Sequence, residues 1–325
     1  MPGFTTHYLF GVNNLKQIKK KNDCQMLVHS IERYKTVFQL GLQGPDIFFY
    51  HPASQMRRVR PGSVVHTRWT GDFMKCLIEA PELFWKEEDR QIARAYAAGF
   101  IGHYILDTQM HPYVYYRTGV GVKLKQRGYA RHIELETDID SRLLMRYAGC
   151  LPSEFAYGRT IDFGRRIRSV VSMILFHAYN TIFPELSLTK GFLSRAICSM
   201  QIGTKLTYNP HNYKRLILGK IEKVVFGRLE VSPVIPTDYL KRTRDPLNLQ
   251  QRQWHNPWDI KGISQMSVPQ MIKKASGRYQ KALRQLNHLY KIDPFEPAYD
   301  KRLEELYQFL GQQSFHSGLD WTLGE

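Results

Sequence analysis

The sequence twice places an imidazole and a carboxylate four residues apart, His103 with Asp107 and His132 with Glu136. On a helix that spacing puts both side chains on one face, close enough to share a divalent metal ion. His111 lies another four residues beyond Asp107, just before Pro112. Two helices carrying such pairs can face each other in a bundle core and build a site for more than one ion. Either pair taken alone equally describes an exposed ion pair on a helix face. The company argues for burial: Tyr96, Phe100, Ile101, Tyr104, Ile105 and Leu106 surround the first pair, and Ile133, Leu135 and Ile139 the second. A buried charge or imidazole is costly unless it is paired or bound to metal.

Other candidates stand upstream. Asp46 sits in the apolar stretch Gly44-Pro45-Asp46-Ile47-Phe48-Phe49-Tyr50, where it is either a turn cap or a site carboxylate. His66 opens a segment whose core positions are Trp69, Phe73 and Leu77, and His7 lies beside Tyr8, Leu9 and Phe10. Each suits a structural role or a ligand. His51 and Asp140, one turn beyond Glu136, are rivals for a ligand position. His177, His211, His255, His288 and His316 have no ligand-like neighbours in the sequence and fall outside the expected site.

Read together, Thr6-His7-Tyr8-Leu9-Phe10-Gly11, the Asp46 stretch, Val65-His66, His103-(three residues)-Asp107-(three residues)-His111 and His132-(three residues)-Glu136 resemble the zinc-dependent phospholipase C family in order and type. The set is specific although no single element is, and it covers about residues 1–145. The resemblance implies an all-α fold with a zinc cluster. Carried over, Asp46, His66, His103 and Asp107 hold one ion, with Asp107 bridging to another. His111, His132 and Glu136 hold a second, and His7 with the Asp107 bridge holds a third. Secreted members begin on a tryptophan whose amino group and carbonyl also bind metal. This chain has no tryptophan before Trp69, so the expectation is two to three zinc ions.

The elements that must position these residues read as helices between Pro and Gly punctuation. Helical spacing is expected over 22–40, 66–78, 87–110 and 129–147, and then over 162–182, 190–207, 211–227, 267–290 and 298–311. The acidic Glu87-Glu88-Asp89 suits a helix start, and so does Ser267 before Val268-Pro269. Residues 44–62 and 228–266 read as loops, and no strand-type alternation persists. The fold class is therefore an all-α multi-helix bundle with a polynuclear metal site in the core of its N-terminal half. No linker divides the chain, so one helical domain is expected over 1–325, with 146–325 a helical extension of unassigned role.

Composition narrows the partners. A net charge of +17 attracts anions: phosphoesters, nucleic acid or an anionic membrane surface. Arg57, Arg58, Arg60 and Arg68 could steer such a substrate or form a solvated basic loop, and the run Tyr113-Val114-Tyr115-Tyr116 could line a cleft or pack into the core. Four dispersed cysteines form no CxxC pair, the N-terminal residues show no secretory pattern, and no apolar run spans a bilayer; the expected setting is the cytoplasm. The expected activity is hydrolysis of a phosphate ester by metal-activated water, with Asp46 as ligand or general base. The substrate expected from the resemblance is a phospholipid headgroup, with peripheral membrane contact. A nuclease or small-phosphoester hydrolase of the same fold, and a non-catalytic basic binding protein stabilised by metal, are the competing readings.

Overall fold

The structure is a computed structural model that describes residues 3–119, 127–226, 232–239 and 243–323. Its helices are α1 (Phe4–Lys20), α2 (Gln25–Arg33), α3 (Lys35–Gly41), α4 (Pro52–Gln55), α5 (Pro61–Thr67), α6 (Thr70–Glu79), α7 (Glu87–Thr118), α8 (Arg127–Ala148), α9 (Arg165–Ile182), α10 (Lys190–Thr207), α11 (Lys214–Phe226), α12 (Val268–Leu289) and α13 (Pro297–Leu310). A short antiparallel hairpin of β1 (Trp254–Asn256) and β2 (Asp259–Ser264) interrupts them. The fold class is all-α, as expected; the hairpin corrects the reading of 228–266 as loop throughout. Of that stretch, and of the helix expected to reach 227, residues 227–231 and 240–242 lie outside the described residues.

Helix α7 is the spine. Glu87, Glu88 and Asp89 stand in its first turn, where they complement the positive end of the helix dipole. Its 32 residues run past Pro112, where the sequence suggested a stop. Proline removes the hydrogen bond to Thr108 O, a loss that ordinarily ends or kinks a helix. Here tertiary packing holds both sides: Met110, His111, Tyr113 and Val114 are buried, and the C-terminal segment covers Thr108 O at Gly318.

Helix α3 crosses α7 with almost no side chain between them. A Cβ on Gly41 would lie 2.4 Å from Tyr96 O, and one on Gly99 would lie 2.2 Å from Phe38 O. This backbone-on-backbone contact brings the turn after α3 down onto α7 at His103. Helix α12 packs on α7 through Tyr279, whose hydroxyl donates to Ala98 O at 2.8 Å. Ser267 and Gln270 form the capping box that starts α12.

Three local readings needed correction. The expected helix over 22–40 breaks at Tyr34 into α2 and α3, and that over 66–78 breaks at Trp69, which is left-handed (φ 55°). His66 therefore ends α5 rather than opening the next helix, and α5 begins at Pro61, a residue well suited to a first helical turn. Helix α1 was not legible, because its buried face carries His7, Gly11 and Asn14 among Leu9, Phe10, Leu15 and Ile18, which breaks the apolar period. No described helix is long and apolar enough to cross a membrane.

Candidate metal centre

Four elements converge on Asp107, which is fully buried midway along α7. From α1, His7 Nε2 lies 3.0 Å from Asp107 Oδ1. One turn earlier on α7, His103 Nε2 lies 3.1 Å from Asp107 Oδ2. His66 Nε2 from α5 is 3.8 Å from the same oxygen and 3.4 Å from Asp46 Oδ1. Asp46 itself stands in a 3-10 turn, Gly44–Tyr50, and its Oδ1 is 4.0 Å from His103 Nε2. Helix α8 brings His132 and Glu136, 2.8 Å apart, toward His111. Three groups result, each with its donor atoms within 4.8 Å of one another: His7, His103 and Asp107; Asp46, His66 and His103; His111, His132 and Glu136. Every residue singled out as a ligand in the sequence is present in them.

The imidazoles are aimed by the backbone. His66 Nδ1 bonds Gly62 O at 2.7 Å, His103 Nδ1 bonds Leu42 O at 3.1 Å and His111 Nδ1 bonds Phe315 O at 2.5 Å. A carbonyl on Nδ1 fixes the proton there and leaves Nε2 as a lone-pair donor, the arrangement that orients metal-binding histidines. Nε2 of His7, His66, His103 and His111 is then buried without a hydrogen bond, as are Asp46 Oδ1 and both Asp107 oxygens. The close N···O approaches around Asp107 are short in distance but not aligned along a donor axis.

Zinc fits these atoms. Two donors on a tetrahedral zinc, with bonds of about 2.1 Å, stand roughly 3.4 Å apart. The observed donor spacings of 2.8 to 4.0 Å bracket that value. The electrostatics agree. Burial lowers the pKa of His7, and burial takes those of His111 and His132 well below the ordinary value. Burial opposes ionisation of Asp107, but His103, His111 and His7 outweigh it and hold the carboxyl well below its usual range. Burial also opposes charge on His103, where Asp107 and Asp46 win and raise its value. Mostly neutral imidazoles around an ionised carboxylate are in the protonation state that metal binding requires.

The rival residues have other work. Asp140 caps α1: its Oδ2 accepts from Thr5 N at 3.0 Å, and its Oδ1 from Thr6 N at 2.9 Å. Helix α1 has no acid in its own first turn, so α8 supplies the acceptor oxygens and seats the turn that carries His7. His51 pairs with Ser54 Oγ at 2.8 Å and packs edge-on against Phe192, away from the three groups. Burial raises the Asp140 pKa to about 6. A carboxyl raised above its unfolded value contributes stability that is full below about pH 4 and fades as pH rises through about 6. In urea titrations of metal-free protein, Asp140→Ala is expected to cost about 1 kcal/mol. The deficit against the parent should be largest near pH 4 and smaller at pH 7; a deficit that grows with pH would contradict the cap as described.

His316, outside the site expected from the sequence, stands directly beside the donor groups. The C-terminal segment is tied to the centre by Phe315 N donating to His66 O at 2.8 Å and by Phe315 O on His111. His316 follows directly. Its ring stacks on His66 at 5.4 Å and lies 5.8 Å from His111, and its Nδ1 shares a 2.7 Å hydrogen bond with the Tyr115 hydroxyl. Burial, and His66 beside it, bring its pKa down to about 3. The one signal in the sequence was Phe315-His316 as an apolar-imidazole step in a polar tail, which is too weak to place it.

Asp46, His132, Glu136, Tyr115 and His316 line a cavity of about 550 Å³. The rest of its lining mixes apolar Phe4, Phe49, Ile133, Met200, Leu206 and Val234 with polar Thr5, Gln43, Thr137, Asp140 and Thr207. Of the aromatic run, Tyr115 lines this cavity, whereas Tyr113 is buried against Trp254 and Tyr116 bonds Gln253 O. Arg57, Arg58, Arg60 and Arg68 do not line it; Arg57 bonds Leu186 O, and Arg68 faces Glu185 at 3.6 Å.

A helical bundle whose core gathers buried imidazoles and carboxylates beside a cavity defines a multinuclear metalloprotein. The model of the zinc-dependent phospholipase C family matches residues 6–181, more than half of the chain, and the protein belongs to that family. The match runs into α9, beyond the 145 residues that carry the motifs. No curated protein and no solved structure matches the chain.

Proposed function

We propose that the protein hydrolyses the phosphodiester of a phospholipid, releasing the phosphorylated headgroup and a diacylglycerol. The observation that carries this reading is a cavity lined by donors from two of the three groups and, beyond them, by many apolar side chains. A phosphate has charge to place at the first, and acyl-glycerol has apolar surface to bury at the second. His7, Asp46, His66, His103, Asp107, His111, His132 and Glu136 would hold the zinc ions. When bound, zinc supplies Lewis acidity to the phosphoryl oxygens and lowers the pKa of water toward neutrality.

The remaining roles fall to the chain. Asp46 reaches both the cavity and the His66 and His103 donors, so it ligates and also stands where a water attacking phosphorus would release its proton. In the step itself the water oxygen forms a bond to phosphorus, the bond from phosphorus to the glycerol oxygen breaks, and that oxygen takes up a proton. Tyr115, held by His316, offers a hydroxyl at the cavity wall to a phosphoryl oxygen. The apolar walls exclude water from the glycerol side. The C-terminal half serves the same unit, supplying Phe315 O, His316 and part of the cavity.

The test is a substrate panel on zinc-loaded protein: short-chain phosphatidylcholine, single-stranded DNA and a small phosphodiester. Release of phosphorylcholine is expected. Asp46→Asn should lower kcat by about 100-fold or more, the range of a lost general base, while removing at most one zinc. Cleavage of DNA without cleavage of phospholipid would replace the lipid reading with a nuclease.

A further inference from the structure

Beside the cavity mouth lies a surface that the fold leaves uncovered. Helix α11 exposes Leu216, Ile217, Ile221, Val224 and Val225, with Val224 87% exposed. Ile217, Ile221 and Val224 repeat at helical spacing and form one stripe along the solvent side. Lys220 and Lys223 flank it and are exposed, whereas the helix's acid, Glu222, is buried and accepts from Ser232 N at 3.1 Å. The face therefore presents aliphatic side chains and positive charge together. Exposed apolar surface on this scale marks a docking face rather than ordinary surface.

Its position ties it to the site. Lys214, at the start of α11, donates to Leu206 O and Tyr208 O at the end of α10. Leu206 lines the cavity and is itself 68% exposed. Asn209 donates to the carbonyl of Pro236, another cavity residue, and Asn212 accepts from Asp238 N. Tyr213 and Tyr239, both exposed, stand on these two neighbouring segments. The apolar strip thus runs from the cavity wall onto α11, edged by two tyrosines whose amphipathic rings suit a headgroup layer.

We infer that α11, with Leu206, Tyr213 and Tyr239, seats the protein on an anionic lipid bilayer and brings the cavity mouth to the membrane surface. This deepens the phospholipid reading and rests on it for its purpose, though not for its measurement. Charge chooses the occupant. A face edged with lysine on a chain of net charge +17 is repelled by a second copy and attracted by an anionic surface. The stripe itself is branched aliphatic, with aromatic rings only at its edge, which suits a bilayer better than stacked bases. An amphipathic helix with lysines beside an apolar stripe has the composition of elements that lie in the bilayer interface.

The experiment is sedimentation of zinc-loaded protein with vesicles of phosphatidylcholine alone and of phosphatidylcholine mixed with phosphatidylglycerol. The parent should partition at least about 10-fold better onto the anionic vesicles, given roughly 5-fold per lysine near such a surface, and less well at high salt. Ile221→Asp combined with Val224→Asp should lower that partition by about 10-fold or more while zinc content, circular dichroism and turnover of a monomeric short-chain phospholipid stay unchanged. Equal partition of parent and variant overturns the inference. So does a parent that is dimeric by light scattering and becomes monomeric in the variant with vesicle binding intact. Partition without phospholipid hydrolysis overturns the proposed activity and not the docking surface; hydrolysis of monomeric lipid without partition does the reverse.

Discussion

Asp107→Asn is expected to lower bound zinc from two or three ions per chain to at most one, and phospholipid hydrolysis to below about one hundredth of the parent. Asparagine matches aspartate in size, so the packing around α7 barely changes. What changes is the donor set. One oxygen becomes an amide nitrogen with no lone pair for metal, and the negative charge among His7, His103 and His111 disappears. Partners that merely orient metal ligands are worth about 10- to 100-fold in affinity or activity. A residue that contacts two of the three groups should exceed that range. Elemental analysis after purification without added metal is the direct readout. Unchanged zinc in the variant would show that Asp107 is an ordinary buried carboxylate satisfied by histidine, and the three-group reading would fail with it. Removing metal with a chelator should also lower the melting temperature of the parent far more than that of the variant, because binding free energy at a buried cluster is folding free energy.

Gly44→Ala carries the second large effect, and it acts without replacing a ligand. Gly44 sits at φ +51°, and a Cβ there would stand 2.3 Å from His103 Cδ2 and 2.8 Å from its Nε2. Left-handed backbone costs a non-glycine residue about 1–2 kcal/mol. The overlap adds to that, since the imidazole is pinned by Leu42 O behind it and stacked on His7 at 4.3 Å beside it. Either the 3-10 turn lifts, carrying Asp46 away, or His103 rotates off its carbonyl. The first misplaces a donor of one group, and the second a donor shared by two. The expected result is a loss of about 3 kcal/mol of stability together with at least one zinc ion per chain, read by urea unfolding and elemental analysis. Parent-like zinc content in a variant that is destabilised by only about 1 kcal/mol would mean that the turn moves freely relative to α7.

The motif carriers were legible because their spacing is local. His103, Asp107 and His111 on α7, and His132 and Glu136 on α8, share a helix face whatever the rest of the chain does. Helices α9, α10, α12 and α13 were equally readable, since each buries a mainly apolar stripe and α12 opens on a capping box. Helix α1 was hidden for the opposite reason: its buried face is spent partly on His7, Gly11 and Asn14. The breaks at Tyr34 and Trp69, and the continuation through Pro112, went against local propensity because packing on both flanks overrode it.

By itself the sequence determined which residue types were available for metal and that two helices would each carry an imidazole and a carboxylate at one turn's separation. It also carried enough of the ordered motif to point to the family. Tertiary structure alone decided that Asp140 caps α1, that His51 pairs with Ser54, and that His316 stands against His66 from 250 residues away. The physical reason is the range of the interactions. An i, i+4 pair is set by helix geometry within a single element. The Gly41–Gly99 crossing, the carbonyls of Leu42 and Phe315 on His103 and His111, and the apolar wall of the cavity exist only once distant segments have packed.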